Sequence, residues 1–210
     1  VVREPAALPI VGKINDCIET LEELFNKLLD ISKLDAGVVQ PVLSHFPIEA
    51  VFSRLRVEYE PLAMEKGVPL RIAASKAHAF SDAILLEQIL RNLIANAIRY
   101  TPCGGRVLVG CRRRARKLRL QVWDTGIGIP THQTERIFEE FYQLGNPERD
   151  RRKGLGLGLA IVKRTAKLLG AEVHVASEPQ SGSVFSFEIP VGNAPRLTAA
   201  HGVSSEAVST

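Results

Sequence analysis

The stretch Asp124-Thr-Gly126-Ile-Gly128-Ile-Pro130 follows directly on an alternating apolar segment, Leu120-Gln-Val-Trp123. A carboxylate at the end of a strand can accept a hydrogen bond from an amino group, such as the exocyclic amine of adenine. Gly126 and Gly128 allow the backbone to turn sharply and to approach a flat ring closely. A tight turn capped by the aspartate side chain is the alternative explanation of this stretch.

Upstream of this stretch, a predicted helix carries two asparagines on one face. Asp82 predicts the N-cap of a helix that runs to about Tyr100, where a proline and two glycines stop it. Asn92 and Asn96 are four residues apart and therefore share a face, with Arg99 near the same edge. A side-chain carbonyl can ligate Mg²⁺ and a guanidinium can reach a phosphate. This face suits a phosphate–magnesium site, and an ordinary polar helix face is the alternative.

Downstream lies a second glycine cluster, Gly154-Leu-Gly-Leu-Gly-Leu159. Its glycines precede a predicted helix over 158–169, so free backbone N–H groups and the positive end of the helix could hold phosphates. The Gly-Lys-Ser/Thr ending of a Walker A loop is missing. A polar loop rather than a strand precedes the glycines, which argues against a dinucleotide-binding fingerprint. A flexible hinge is the alternative.

Taken together and in this order, these segments resemble a known family. Residues 82–190 resemble the ATP-binding catalytic domain of sensor histidine kinases, within the GHKL superfamily of gyrase, heat-shock chaperone, histidine kinase and mismatch-repair ATPases. The resemblance implies an α/β (α+β) fold, a two-layer sandwich of a mixed β-sheet packed on helices, with ATP and Mg²⁺ as cofactors. The resemblance rests on residues 88–101 for the N box, 124–130 for the G1 box, 137–142 for the F box, 154–162 for the G2 box and 182–185 for the last glycine box.

The resemblance also assigns roles to individual residues. Asn96 is the expected Mg²⁺ ligand, Arg99 stands where the family usually has a lysine, and Asp124 is expected to bind the adenine amine. Residues 143–153 are expected to form a lid that orders on binding. The implied nucleotide-binding set is Asn92, Asn96, Arg99, Tyr100, Asp124, Gly126, Gly128, Ile129, Lys153, Gly154, Leu155, Gly156, Leu157, Gly158 and Leu159.

Asn92 bears on the reaction. Hydrolysing members of the superfamily usually place a glutamate four residues before the metal-binding asparagine, and here that position is Asn92. An amide cannot serve as a carboxylate base for water, so a phosphoryl transferase is favoured over a hydrolase. Two alternatives stay open: a GHKL ATPase that uses hydrolysis to drive conformational change, and a nucleotide-binding regulatory module without turnover.

The N-terminal part of the chain predicts one long amphipathic helix over residues 9–36. Its apolar face requires a partner, which is either a second copy in a helical bundle or the following domain. The segment 28–37 resembles the second helix of the kinase dimerisation and phosphoacceptor domain. The resemblance implies a homodimer through helix 9–36 in the intact protein.

None of the five histidines, His45, His78, His132, His174 and His201, stands in the His-Glu/Asp-x-x-x-Pro setting of a phosphoacceptor. The chain is therefore expected to lack the acceptor helix and to hold no catalytic residue of its own. We expect a partial dimerisation helix at 1–40, a catalytic domain at 41–192 and a flexible tail or linker at 193–210. The expected partner is a response-regulator receiver domain, fused in a hybrid kinase or separate.

The remaining segments predict short elements between these motifs. We expect a turn at His45–Pro47, a helix over 48–66 that Pro61 either bends or deprives of a hydrogen bond, and a strand over 68–74. We also expect a hairpin over 106–124, a short helix holding Ile137, Phe138 and Phe141, and strands over 173–175 and 184–189.

Composition narrows the function classes. The chain has 210 residues, of which 45% are hydrophobic and 24% charged, as in ordinary globular proteins. It contains no apolar run long enough to span a bilayer, and its three distant cysteines predict neither a disulfide nor a metal site. We therefore expect this part of the protein to be cytoplasmic and to make no membrane contact, with a membrane anchor elsewhere in the full-length protein left open. The net charge is +4, and the basic run 112–119 lacks interleaved aromatics, so it is interpreted as an exposed hairpin turn and not as a nucleic-acid surface.

Overall fold

The computed structural model describes residues 7–144 and 155–194. Four helices are present in these ranges: α1 (Ala7–Asp35), α2 (Ile48–Glu65), α3 (Ala83–Tyr100) and α4 (Gly158–Leu168). The strands are β1 (Ser44–Pro47), β2 (Leu70–Ile72), β3 (His78–Ser81), β4 (Val107–Arg114), β5 (Lys117–Asp124), β6 (His174–Glu178) and β7 (Gly182–Pro190). Within the described ranges, no helix has the length and apolar character that crossing a membrane requires.

The main sheet has five strands in the order β2-β4-β5-β7-β6. The β2–β4 pair is parallel, and the other neighbours are antiparallel, so the sheet is mixed as predicted. The predicted hairpin over 106–124 is confirmed as β4 and β5, which pair from Val107–Asp124 at one end to Arg114–Lys117 at the turn.

The sheet packs one face on the helices, which confirms the two-layer sandwich. Alternate residues of β4, β5 and β7 point toward the helices and are buried, whereas their neighbours face solvent. The helices supply the other half of the core, and each fully buried leucine or isoleucine contributes roughly 1.5–3 kcal/mol. The inward set of the sheet is Val107, Val109, Leu118, Leu120, Val122, Phe185, Phe187 and Ile189.

Helix α3 begins where the sequence predicted. Asp82 is its N-cap, and its Oδ1 accepts hydrogen bonds from the backbone N–H groups of Ile84 at 2.9 Å and Leu85 at 3.0 Å. Its Oδ2 accepts from the backbone N–H of Val42 at 2.8 Å. One buried carboxylate therefore satisfies the start of the helix and also anchors the segment that follows α1.

A second, two-stranded sheet corrects the prediction for residues 45–47. His45-Phe46-Pro47 was expected to form a turn but belongs to β1, which pairs antiparallel with the unpredicted strand β3. Each strand has four residues, and the two lie far apart in the sequence. Such a pair leaves no local turn signal between its strands, so only the tertiary structure reveals it.

Two further expectations differ from the structure. The strand expected over 68–74 is shorter and spans Leu70–Ile72. The short helix expected around Phe141 was wrong: the segment holds two 3₁₀ turns, Thr131–Gln133 and Arg136–Phe138. Phe141 lies outside both turns at φ +60°, and its N–H donates to the carbonyl of Gly156 at 3.0 Å. The Phe141 N–H therefore bonds to the segment that precedes α4 instead of continuing a helix.

Helix α1 is confirmed, and its C-terminal end packs on the following domain. Ile31 is buried in a small cluster with Leu157 and Ile161. Most of the apolar side chains nearer the N-terminus of α1 are exposed, including Leu21 and Phe25. Helix α2 runs through Pro61 to Glu65. The greater part of the expected lid, and the expected tail beyond residue 194, lie outside the described residues.

Candidate functional site

The asparagine face of α3 meets the first residue of α4. Asn92 donates from Nδ2 to the carbonyl of Gln88 at 2.9 Å, one turn earlier. A Cβ at position 158 would lie 3.0 Å from Asn92 Oδ1 and 3.7 Å from Asn96 Nδ2. Glycine at 158 therefore lets the start of α4 approach both amides closely.

The start of α4 has the features of an anion-binding helix end. Its N-cap residue is Leu157, which provides no side-chain cap, so the first N–H groups of the helix have no cap acceptor from that residue. The preceding Gly156 has φ +72°, and its carbonyl is held by the Phe141 N–H. The first N–H groups of α4 and the positive end of the helix dipole favour a negatively charged group at this point.

Asp124 stands at the end of β5, where the carboxylate is largely buried. Burial raises the pKa of Asp124, while the backbone N–H groups of Gly126 and Ser183 oppose that rise by donating to the carboxylate. The Gly126 N–H lies 2.8 Å from Oδ1. The two donors leave further lone pairs of the carboxylate available as acceptors.

Gly128 shows why this turn needs glycine. Its φ is +69°, and a Cβ there would lie 2.0 Å from the carbonyl oxygen of Glu178. The turn therefore packs directly on the end of β6, and Ile129 is tied to the same strand by its N–H, which donates to Ser177 Oγ at 2.8 Å. This packing fixes the direction in which the chain leaves Asp124.

Two adjoining cavities connect these groups. One is lined by Asp124, Gly128 and Ile129 together with apolar side chains such as Phe185. The other, of about 290 Å³, is lined by Asn92, the residues before and at the start of α4, and several cations. Asn96, Tyr100, Ile137, Tyr142 and Leu159 line both. The result is one groove with an apolar, carboxylate-bearing end and a polar, cationic end.

A broader concavity of about 780 Å³ lies elsewhere, over the outer face of the sheet around Trp123. It touches Asp124 but includes neither asparagine and no residue of α4. We therefore place the functional site in the groove, because the amides, the helix end and the carboxylate converge only there among the described residues.

The groove brings together most of the residues predicted from the sequence. Gly126 does not line the groove but packs on the end of α3, where a Cβ would lie 2.6 Å from the carbonyl oxygen of Tyr100. Leu157 reaches the groove, but its side chain is buried against α1. Lys153 and Gly154 lie outside the described residues. The predicted residues that line the groove are Asn92, Asn96, Arg99, Tyr100, Asp124, Gly128, Ile129, Leu155, Gly156, Leu157, Gly158 and Leu159.

Sequence reasoning missed several lining residues. Tyr142 lines both cavities, and its hydroxyl donates to Gln133 Oε1 at 2.9 Å. It is the last residue of the F box and directly follows Phe141, so that motif could have identified it. Lys27, Tyr59 and Arg91 line the cationic end. Lys27 and Tyr59 come from α1 and α2, and no motif marks either position.

Comparison with known proteins gives a consistent result. Residues 81–193 match the family model described as "Histidine kinase-, DNA gyrase B-, and HSP90-like ATPase". The chain is 31% identical over 202 residues to the sensor histidine kinase RcsC of Escherichia coli K12, covering 94% of this chain and 21% of RcsC. It is 36% identical over 182 residues to the autoinducer 2 sensor kinase/phosphatase LuxQ of Vibrio vulnificus YJ016, covering 82% of this chain and 21% of LuxQ. The chain thus spans about a fifth of the length of these two relatives.

Solved structures agree with the fold. Full-length ShkA in complex with AMPPNP superposes with a TM-score of 0.77 at 30% identity, covering 92% of this chain and 40% of ShkA. The Acinetobacter baumannii histidine kinase AdeS superposes with a TM-score of 0.70 at 24% identity, covering 87% of this chain and 84% of that one.

Proposed function

Since the chain belongs to the family of histidine kinase-, DNA gyrase B- and HSP90-like ATPases, we propose that it is the ATP-binding catalytic part of a sensor histidine kinase. The observation that carries this proposal is the groove itself. It holds a half-buried carboxylate at an apolar end, and at the other end paired amides that face a helix N-terminus without a side-chain cap from Leu157. This arrangement of groups suits a ligand with a flat amino-bearing ring at one end and phosphates at the other.

The residues take the following roles. Asp124 accepts a hydrogen bond from the adenine amine, and the base lies between Ile129 and the neighbouring apolar side chains. The phosphates lie against the first N–H groups of α4. Arg99, at the same cavity, adds positive charge.

The chemistry of the cationic end fits Mg²⁺. This ion is usually held by one or two protein oxygens, with waters and phosphate oxygens completing its shell. The amide oxygen of Asn96 is such a ligand, and Asn92 lies beside it, one helical turn earlier. When bound, the ion neutralises charge that develops on the transferred phosphoryl group.

The proposed reaction of the intact protein is in-line transfer of the ATP γ-phosphoryl group to a histidine nitrogen. The bond between the γ-phosphorus and its bridging oxygen breaks, ADP leaves, and the phosphoryl group passes later to an aspartate of a receiver domain. Among the described residues no histidine lines the groove, so the acceptor is supplied from outside it. Asn92 replaces a catalytic carboxylate and thereby favours transfer over hydrolysis.

The domain organisation that we propose follows from α1. Residues 1–40 form part of a dimerisation unit and 41–192 form the catalytic domain. The exposed apolar stripe on α1 supports a cytoplasmic homodimer through this helix, because a stripe of this kind is usually covered by a partner helix.

Calorimetric titration with Mg-ATP and Mg-ITP tests the nucleotide assignment. We expect the chain to bind Mg-ATP with a Kd of roughly 1 µM to 1 mM and to bind ITP more weakly, because ITP replaces the adenine amine by an oxo group. Asp124→Asn should weaken ATP binding about tenfold to a hundredfold, since a hydrogen bond to a charged group is lost, and should narrow the preference for ATP over ITP.

Glu172→Gln is the matched control, because it makes the same acid-to-amide change at an exposed position outside the groove. If neither the parent nor the control binds Mg-ATP, the chain is not a working nucleotide module. If Asp124→Asn binds like the control, Asp124 does not recognise the base. Steady release of inorganic phosphate would favour the ATPase alternative.

A further inference from the structure

Helix α1 is docked beside the phosphate end of the groove. Ile31 packs with Leu157 and Ile161, and Arg164 of α4 holds Asp35 with Nε 2.8 Å from Oδ1. These contacts attach the last turns of α1 to α4 and to the residues just before it, of which 155–159 line the cationic cavity. The position of α1 and the shape of this cavity are therefore linked.

A long hydrogen bond also links α1 to α3. Gln88 donates from Nε2 to Asp30 Oδ2 at 3.4 Å, one turn before Asn92. The side of α1 that faces the domain thus carries Asp30 and the apolar residues Leu24, Ile31 and Leu34.

Lys27 lies on this side of the helix. It follows Leu24 by three residues and precedes Ile31 by four, so the three share one face. Its side chain is half-buried and lines the cavity that also holds Asn92 and Asn96. A cation from the preceding helix therefore reaches the end of the groove where the phosphates are proposed to bind.

The charge around this cavity is one-sided. Its described lining includes Lys27, Arg91 and Arg99 and no carboxylate. Arg91 is engaged by Glu58 and Glu87 outside the lining, so its charge is partly balanced within the protein. A multiply charged anion is the ligand that this lining suits, because its charge interacts favourably with cations in a partly desolvated cavity.

We propose that Lys27 binds the nucleotide phosphates directly, so that docked α1 completes the phosphate site. The inference rests on the proposed function, since it concerns the same groove and the same ligand. Docking of α1 and binding of the nucleotide then stabilise each other, because a coupling free energy between two sites acts equally in both directions. A movement of the dimerisation helix changes ATP affinity, and ATP changes the position of that helix.

The experiment compares Lys27→Met with Lys33→Met by calorimetry, using Mg-ATP and adenosine as the two ligands. Methionine keeps the length and the apolar stem but removes the charge. Lys33 lies on the same helix and is exposed, so it controls for net charge. We expect Lys27→Met to weaken Mg-ATP binding about tenfold, to leave adenosine binding unchanged, and to reduce the salt dependence of Mg-ATP binding. Lys27→Arg should restore most of the affinity.

A second variant tests the role of docking. Ile31→Ala removes the buried contact between α1 and Leu157, and Ile31 itself does not line the cavity. It should also weaken Mg-ATP binding. The double variant Lys27→Met/Ile31→Ala should lose less binding free energy than the sum of the two single losses, because both changes remove the same interaction.

The outcomes separate the two proposals. If the parent and Lys33→Met fail to bind Mg-ATP, the proposed function fails. If the parent binds but Lys27→Met matches Lys33→Met, the inference is overturned while the proposed function stands. Equal losses for Mg-ATP and adenosine would also overturn it, since Lys27 would then support the fold instead of contacting phosphates.

Discussion

Helices α1 and α3 have similar sequence patterns and opposite environments. Both repeat apolar residues at three- and four-residue steps. In α3 this face is buried, and Leu90 has no exposed surface. In α1, Leu21 and Phe25 are each 63% exposed, whereas Ile31 is 6% exposed. The pattern predicts that a helix face will be covered, but it does not identify what covers it.

The difference has a structural cause. Helix α3 contacts the sheet on one side and α2 and α4 on others, so its whole apolar face is enclosed within one chain. Helix α1 contacts α4 near its C-terminal end. The uncovered remainder is an apolar surface of the kind that marks a protein–protein interface, which agrees with the proposed homodimer.

The largest effect is expected from a matched truncation in the two helices. Leu90→Ala leaves a cavity in the enclosed core and should lower the free energy of unfolding by about 2–5 kcal/mol. Leu21→Ala removes the same atoms from an exposed position and should change the free energy of unfolding by less than about 0.5 kcal/mol. Urea denaturation at a concentration where the chain is monomeric measures both. Similar losses for the two variants would show that α1 is enclosed as α3 is.

An intermediate effect is expected at the docked end of α1. Ile31→Ala should reduce the stability of docking by about 1–2 kcal/mol, less than for the main core because few buried residues surround it. Amide hydrogen exchange over residues 24–35 should become about fivefold to thirtyfold faster, while exchange in α3 is unchanged. Equal acceleration in both helices would mean that α1 and the core unfold as one unit.

The smallest effect concerns the ion pair at the end of α1. A hydrogen bond from Arg164 lowers the pKa of Asp35 below its usual range, against a smaller opposing effect of burial. Because the pKa of Asp35 is lower in the folded state, its ion pair with Arg164 stabilises the docking of α1 above the unfolded-state pKa. This stabilisation is lost as pH falls through the folded-state pKa. NMR titration of Asp35 should show its pKa rising in Arg164→Gln. An unchanged value would exclude Arg164 as the cause.

The sequence predicted the larger elements well for a physical reason. In α2, α3, α4 and the β4–β5 hairpin, the local apolar period, the caps and the turns all favour the same structure. The short strands β1 and β3 were missed because four residues carry little periodicity and their pairing is long-range. The segment around Phe141 was predicted wrongly as a helix because its backbone bonds to Gly156, which the local pattern does not show.

Some residues of the candidate site could likewise be recognised in the sequence, and others only in the structure. Asn92, Asn96, Asp124 and the glycines were recognisable because their chemistry is tied to fixed positions in short motifs. Lys27 and Tyr59 were not, because each belongs to an ordinary helical pattern and reaches the groove only through packing. Leu157 was assigned to the nucleotide, yet its side chain is buried against Ile31.

By itself, therefore, the sequence determined the helix and strand periods, the glycines that permit tight turns, and the amide and carboxylate groups of the proposed nucleotide site. These depend on interactions between residues close in the chain, which a single sequence displays. The tertiary structure alone decided that β1 pairs with β3, that α1 docks by one end and exposes the other, and that Lys27 lines the same cavity as Asn92 and Asn96. These depend on which surfaces meet, and the free energy of that packing is shared among residues that no local pattern connects.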